Sequence, residues 1–382
     1  LINRIAILNV TTGPGGINAL NGVYGAYTDS LSMFVVSGQV KNETYLKNYK
    51  TNLRQLGDQE VDIVSMVKPI TKYAVTVKDP REIKEIMDKV IYFLSNGRPG
   101  PVWVDVPIDV QGSLIDPDKL KGFNGDIKKL VNDPSVSCNT KLELSTKSNL
   151  NDKTFNIIFE RLKKSSRPVI LAGTGVSISQ MNKQFLKLIN KLKIPVVTGW
   201  NAHDLISNDN KYFAGKPGTV GDRPGNFTVQ NSDLLIVLGC RLNIRQISYN
   251  WKEFAPKAFK IMVDIDQAEL DKPTLHIDCK VKADLKTFIP LLIKKIQDLN
   301  YTSINEHKKY LIWCKKRVVD YPVVLPEYTN KINKKINPYV FIDELFKILD
   351  KDDVVITGNG SACVITFQAA KIKQGQRLYT NS

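Results

Sequence analysis

The chain has 382 residues, with 54 Lys and Arg against 38 Asp and Glu, a formal net charge of +16 and a hydrophobic share of 42%. This length accommodates two or three domains with real cores, and the apolar share is ordinary for a globular protein. Cys138, Cys240, Cys279, Cys314 and Cys363 are far apart and form no Cys-x-x-Cys pair, which argues against a disulfide framework or a zinc module and fits a reducing, cytoplasmic setting. No apolar run reaches the length of a membrane span, and no signal-peptide pattern is visible. The lysines are scattered over predicted outer helix faces, as at Lys183, Lys187 and Lys191, with no stripe of Arg and aromatics. Anionic small ligands are therefore favoured over nucleic acid as partners.

The pattern is that of α/β, successive doubly wound parallel-sheet domains. An apolar run over 5–10 enters Thr12-Gly13-Pro14-Gly15-Gly16, after which Leu20, Val23, Tyr24 and Tyr27 repeat at helical spacing. Such a turn removes side chains where backbone must approach a flat or anionic group, or simply turns a strand into a helix. A short strand over 33–36 ends in Ser37-Gly38-Gln39. Ile83, Ile86, Val90 and Leu94 mark a helix, and 102–107 a further strand. Periodicity then fades, and 113–152 reads as a linker.

A second block alternates helix (Phe155 to Leu162), strand (168–172), helix (Phe185 to Leu192), strands at 234–238 and 261–265, and helix (Leu285 to Ile296). A Lys-rich helix and a Pro/Asn-rich linker follow over 301–338. A third block, 339–382, holds a helix through Phe341, Leu345 and Leu349, a strand at 354–356 entering Gly358-Asn359-Gly360-Ser361-Ala362, and a closing strand from Arg377. Gly-rich strand exits in series suggest ligands at the carboxyl ends of parallel strands.

No catalytic set is self-contained. Gly173-Thr174-Gly175-Val176-Ser177-Ile178 lacks the third glycine of a dinucleotide fingerprint. Asp264 and Asp266 end a strand, where acids bind ribose hydroxyls or cap the next helix. Arg241 and Arg245 follow another strand and suit phosphates or a surface ion pair. His203, His276 and His307 are isolated, so no metal site is expected on them. Cofactor-like turns without a catalytic set suggest that a cofactor carries the chemistry.

Thr11 to Asn18, the helix to Asp29-Ser30 and Phe34-Val35-Val36-Ser37-Gly38-Gln39-Val40 resemble the pyrimidine-binding domain of thiamine-diphosphate enzymes, most closely the acetolactate (acetohydroxyacid) synthase group. Ile70-Thr71-Lys72-Tyr73 and the run from Gly97-Arg98-Pro99-Gly100-Pro101 to Asp105-Val106-Pro107 continue the likeness. So do Asp233 to Arg241, Val263-Asp264-Ile265-Asp266 and Val354 to Ala362. The resemblance implies a pyrimidine-binding domain over 1–112, a linker over 113–152, a central domain over 153–300, a helix and linker over 301–338, and the start of a diphosphate-binding domain over 339–382. It implies thiamine diphosphate with Mg2+, bound between two subunits of a homodimer or homotetramer. It further implies decarboxylation of pyruvate or a related 2-keto acid and addition of the two-carbon unit to a second carbonyl, as in branched-chain amino acid biosynthesis.

By position, Pro14, Gly15 and Asn18 would line the pyrimidine, Gln59 would lie near the reacting carbons, and Gly360, Ser361 and Ala362 would meet the diphosphate. The synthases also hold FAD, at positions matching Gly173, Thr174, Gly175, Arg241, Arg245, Asp264 and Asp266. The family's catalytic glutamate falls upstream of Leu1 and its metal-holding motif beyond Ser382, so the chain reads as a fragment, truncated at both ends and inactive alone. Asp58 stands where the synthases usually carry an aromatic, and the 241–245 loop lacks their acidic pair, which leaves FAD and the product open. The alternatives are another lyase or decarboxylase of the family, and a noncatalytic relative that binds an intact paralogue.

Overall fold

The computed structural model describes residues 5–329 and 335–380. Leu1, residues 330–334 of the second predicted linker, and Asn381 and Ser382 of the closing strand lie outside them. The chain divides into two compact units after Lys147.

The first unit is a parallel sheet of β1 (Ala6–Val10), β2 (Met33–Gln39), β3 (Tyr73–Thr76) and β4 (Pro101–Pro107), in the order β1-β2-β4-β3. Its register aligns Val35 with Trp103 and Ser37 with Asp105. Helix Ile83–Ser95 buries Ile86, Val90, Phe93 and Leu94. Its last turn is closed by Lys72, whose ammonium donates to Phe93 O at 2.8 Å and Asn96 O at 2.7 Å. A cation suits the negative end of a helix. β3 was legible only as the motif around Tyr73; four residues are too few for an alternation to show.

The linker expected over 113–152 is a correction. It holds helices Ile127–Asn132 and Cys138–Ser145, begun by the side-chain caps Asp126 and Ser137. Leu130 and Val136 are buried in the core of the first unit with Tyr73 and Phe93. Each helix carries too few anchors for periodicity to appear, so the polar residues between them dominate the sequence signal.

The second unit, from Ser148, is built on β5 (Pro168–Ala172), β6 (Val196–Thr198), β7 (Leu234–Leu238), β8 (Phe259–Asp264) and β9 (Cys279–Lys282). These form one parallel sheet in the order β6-β5-β7-β8-β9. Ile170, Ile236 and Leu238 face one core, whereas Val169, Leu171, Leu235 and Val237 face another. Burial on both faces explains why β5 and β7 are unbroken apolar runs rather than alternating ones. Strand order reverses between β5 and β7, which opens a crevice at their carboxyl ends.

The third predicted block is part of this unit. Parallel β10 (Val354–Thr357) and β11 (Arg377–Thr380) pair with Val354 opposite Arg377. Phe346, Cys363, Phe367 and Leu378 form their core, and Trp200 from the end of β6 packs into it. The whole is mixed α/β with parallel sheets.

Glycine is required where the β5 and β7 exits meet. A Cβ on Gly173 would overlap Gly239 O and stand 2.6 Å from Cys240 Cβ, and one on Gly175 would stand 2.7 Å from Gly239 Cα. Gly173→Ala is expected to destabilise the second unit by about 1–3 kcal/mol. Gly22→Ala, on open helix surface with nothing within 4 Å, is expected to stabilise the first unit by about 0.5–1 kcal/mol. Urea unfolding midpoints check both signs.

Candidate cofactor site

β1 leads into Gly13, whose φ of 61° is left-handed, and helix Pro14–Thr28 starts at once with Pro14 in its first turn. No side chain caps this helix, so its first amides face outward. Pro14 and Asn18 are exposed, whereas Gly16 is buried. The space of a Gly13 Cβ is filled by the carbonyl of Gln59. Gln59 is itself left-handed, with φ 56°. The structure thus brings Pro14, Gly15 and Gln59 together, with Asn18 one turn along the same helix.

The Gln59 segment is fixed from below by Glu60, which is buried. Its carboxylate accepts from Gly57 N at 2.8 Å, Leu56 N at 3.1 Å and Leu46 N. Asp58 and Gln59 extend their side chains outward and are exposed.

A second support lay in the sequence only as part of a motif. Asp105 is fully buried near the carboxyl end of β4. It accepts from Ser37 Oγ at 2.6 Å, Gln39 Nε2 at 3.1 Å and Thr76 Oγ1 at 3.3 Å. Trp103 Nε1 donates to Ser37 Oγ at 2.8 Å, and Gln39 Nε2 also donates to Val61 O at 2.9 Å. A buried carboxylate therefore ties three strand ends to the backbone two residues after Gln59. The signal that finds it is one acid inside an otherwise apolar strand. Burial pushes its carboxyl up to about 6, against the hydrogen bonds that hold it ionised.

At the exits of β5, β7 and β8 the positions matched to a flavin lie on neighbouring strands. The turn does not fit a phosphate cradle, because Gly173 N donates to Leu238 O at 2.9 Å and Gly175 N to Gly239 O at 3.0 Å. Thr174 directly precedes the four-residue helix Gly175–Ile178 without a side-chain capping bond. Arg241 O accepts from Lys272 Nζ. Arg245 lies over the Trp200 ring at 5.5 Å. Asp264 Oδ1 accepts from Asp266 N at 3.0 Å, and Asp266 caps the next helix through Ala268 N at 2.9 Å. Both acids thus act as turn and helix caps in this structure.

Gly360, with φ 80°, has open space around it, and Ser361 and Ala362 are exposed at the start of helix Ser361–Ala369. No side chain caps this helix. Its outward first-turn amides fit an anionic diphosphate. Among the described residues no cluster of three or more His, Cys, Asp and Glu is placed to hold a metal ion. His203 bonds Thr198 at 3.1 Å, His307 bonds Ser165 O at 3.0 Å, and His276 stands beside Asp278.

The raised carboxyl of Asp105 has a measurable sign. Its folded value, about 6, lies above the ordinary 3.8, so the folded chain binds the proton more tightly. Stability from this group then falls as pH rises between about 4 and 6 and levels off above. Asp105→Asn is expected to remove that slope, read as the wild-type-minus-variant difference in urea midpoint from about pH 4 to pH 7.

Comparison with known proteins agrees with this architecture. Residues 155–292 match the family model of the thiamine pyrophosphate enzyme central domain, and residues 1–66 that of the thiamine pyrophosphate enzyme N-terminal TPP binding domain. A probable acetolactate synthase large subunit of Methanocaldococcus jannaschii is 30% identical over 346 residues, covering 90% of this chain and 53% of its own length. The acetolactate synthase large subunit of Cyanidium caldarium is 29% identical over 383 residues, covering 98% and 60%. That of Lactococcus lactis is 28% identical over 380 residues, covering 99% and 60%. The chain spans a little over half the length of these relatives. It belongs to the thiamine pyrophosphate enzymes, carrying their N-terminal and central domains.

Proposed function

We propose that the full-length polypeptide is a thiamine-diphosphate-dependent carboligase of the acetolactate synthase type, taking pyruvate or a related 2-keto acid as donor. The observation that carries this reading is the exposed helix start at Pro14, with buried Gly13 behind it pressed against the Gln59 backbone, in a chain of this family. The bound cofactor supplies the electron sink for carbon dioxide loss. Pro14, Gly15 and Asn18 present a flat surface at a helix start for its pyrimidine. Gln59 directs an amide toward the reacting carbons. Gly360, Ser361 and Ala362 bind the diphosphate through helix amides. Mg2+ and a second subunit belong to the same reading, as does a cytoplasmic location. No helix among the described residues is long and apolar enough to cross a membrane.

Asp58 bears on the acceptor. Its carboxylate is exposed next to Gln59, and an anion there repels the carboxylate of a second keto acid. A neutral acceptor, such as the ketone of a sugar, suits this wall better.

Full-length protein with thiamine diphosphate and Mg2+ is expected to release carbon dioxide from pyruvate or another 2-keto acid. Absence of release across several keto acids would leave the noncatalytic reading. Gly13→Ala, which displaces Gln59, is expected to lower kcat/KM roughly 100-fold. Asp58→Asn is expected to lower KM for a keto-acid acceptor and leave that for a neutral ketone unchanged. Equal effects on both acceptors would remove Asp58 from specificity.

A further inference from the structure

The segment 215–225, Gly-Lys-Pro-Gly-Thr-Val-Gly-Asp-Arg-Pro-Gly, has no role in the chemistry above, yet it is built around one side chain. Lys216 is 2% exposed. Its ammonium donates to Ala370 O at 2.8 Å and Phe367 O at 3.0 Å, with Gln368 O at 3.5 Å. These are the carbonyls at the carboxyl end of helix Ser361–Ala369. The loop is shaped for this. Lys216 N donates to Asp222 Oδ1 at 2.9 Å, and Asp222 N returns a bond to Lys216 O at 2.7 Å. A Cβ on Gly225 would stand 2.5 Å from Lys216 N, and one on Gly221 would overlap Lys216 O.

Independent contacts hold the same helix end. Trp200 stacks on Phe367 at 4.6 Å, His203 lies 5.4 Å from that ring, and Gln368 Nε2 donates to Val220 O at 2.9 Å. A buried ammonium is costly unless its donors are matched, and a hydrophobic residue of this length would fill the space without that cost. Three carbonyls at a helix's negative end are the match. Burial, and then the Lys216 charge, hold the His203 pKa low, and burial lowers the Lys216 ammonium to about 8, with Asp222 opposing the shift.

We infer that Lys216 is a positioning residue, which fixes helix Ser361–Ala369 by its carboxyl end so that the other end, at Gly360 and Ser361, is held ready for the diphosphate. A nine-residue helix is rigid along its axis, so anchoring one end sets the other. The diphosphate part of this inference rests on the thiamine-diphosphate reading above; the anchoring part does not.

The test uses the full-length polypeptide with Mg2+. Lys216→Met is expected to raise the thiamine diphosphate concentration for half-saturation by about tenfold or more, well beyond any loss in kcat at saturating cofactor. Amides of 361–369 are expected to exchange hydrogen faster in the variant, while those of β7 do not change. Gln368→Leu, which keeps Lys216, is expected to shift both readouts the same way by less, and it carries the test if Lys216→Met does not fold. A folded Lys216→Met with a lower melting temperature but unaltered cofactor saturation and unaltered exchange at 361–369 overturns the inference. Wild-type protein that fails to take up thiamine diphosphate overturns the diphosphate part together with the proposed function. Hydrogen exchange then still decides the anchoring part.

Discussion

The carbonyl of Gln59 occupies the space that any side chain at position 13 would need. That contact forces a left-handed glycine at the end of β1, where helix Pro14–Thr28 starts without a capping side chain and Pro14 stands exposed. Two buried carboxylates hold the segments around this contact. Glu60 gathers three amides beneath the Gln59 loop, and Asp105 links β2, β3 and β4 to Val61 through Gln39. Both buried carboxylates are costly to desolvate. Each is satisfied by several donors, so each exchanges solvation for a defined backbone position.

The second unit uses the same device differently. Gly173, Gly175 and Gly239 allow two strand exits to touch, and the amides that might have cradled a phosphate are spent on that contact. A glycine-rich turn after a strand is therefore ambiguous in principle. It can clear room for a ligand, or for another part of the same chain. At Gly360 the space around the residue is open, whereas at Gly13 and Gly173 another part of the chain fills it.

Lysine burial shows a related economy. Lys72 and Lys216 both close the carboxyl end of a helix with their ammonium groups. In a chain with a net charge of +16 most lysines are solvated, and composition cannot tell these two from the rest. Their role follows from where the helices end in space.

The longer strands and helices, the parallel α/β class and the glycine-rich turns at Gly13 and Gly360 were legible in the sequence, because unbroken apolar strands and periodic helices signal themselves within a short window, whereas the short strands β3, β6 and β9 were not. The helices inside 113–152 were not legible, since Leu130 and Val136 are lone anchors whose partners, Tyr73 and Phe93, are distant in the chain. Asp264 and Asp266 read equally as ribose ligands or caps, because the sequence does not show the amide donors that face them. Asp105 and Lys216 were invisible as functional groups for one reason: a polar side chain gains its meaning from the donors and acceptors that face it. Local periodicity is fixed by the order of residues along the chain. The partners of a buried charge are fixed only when distant segments come together.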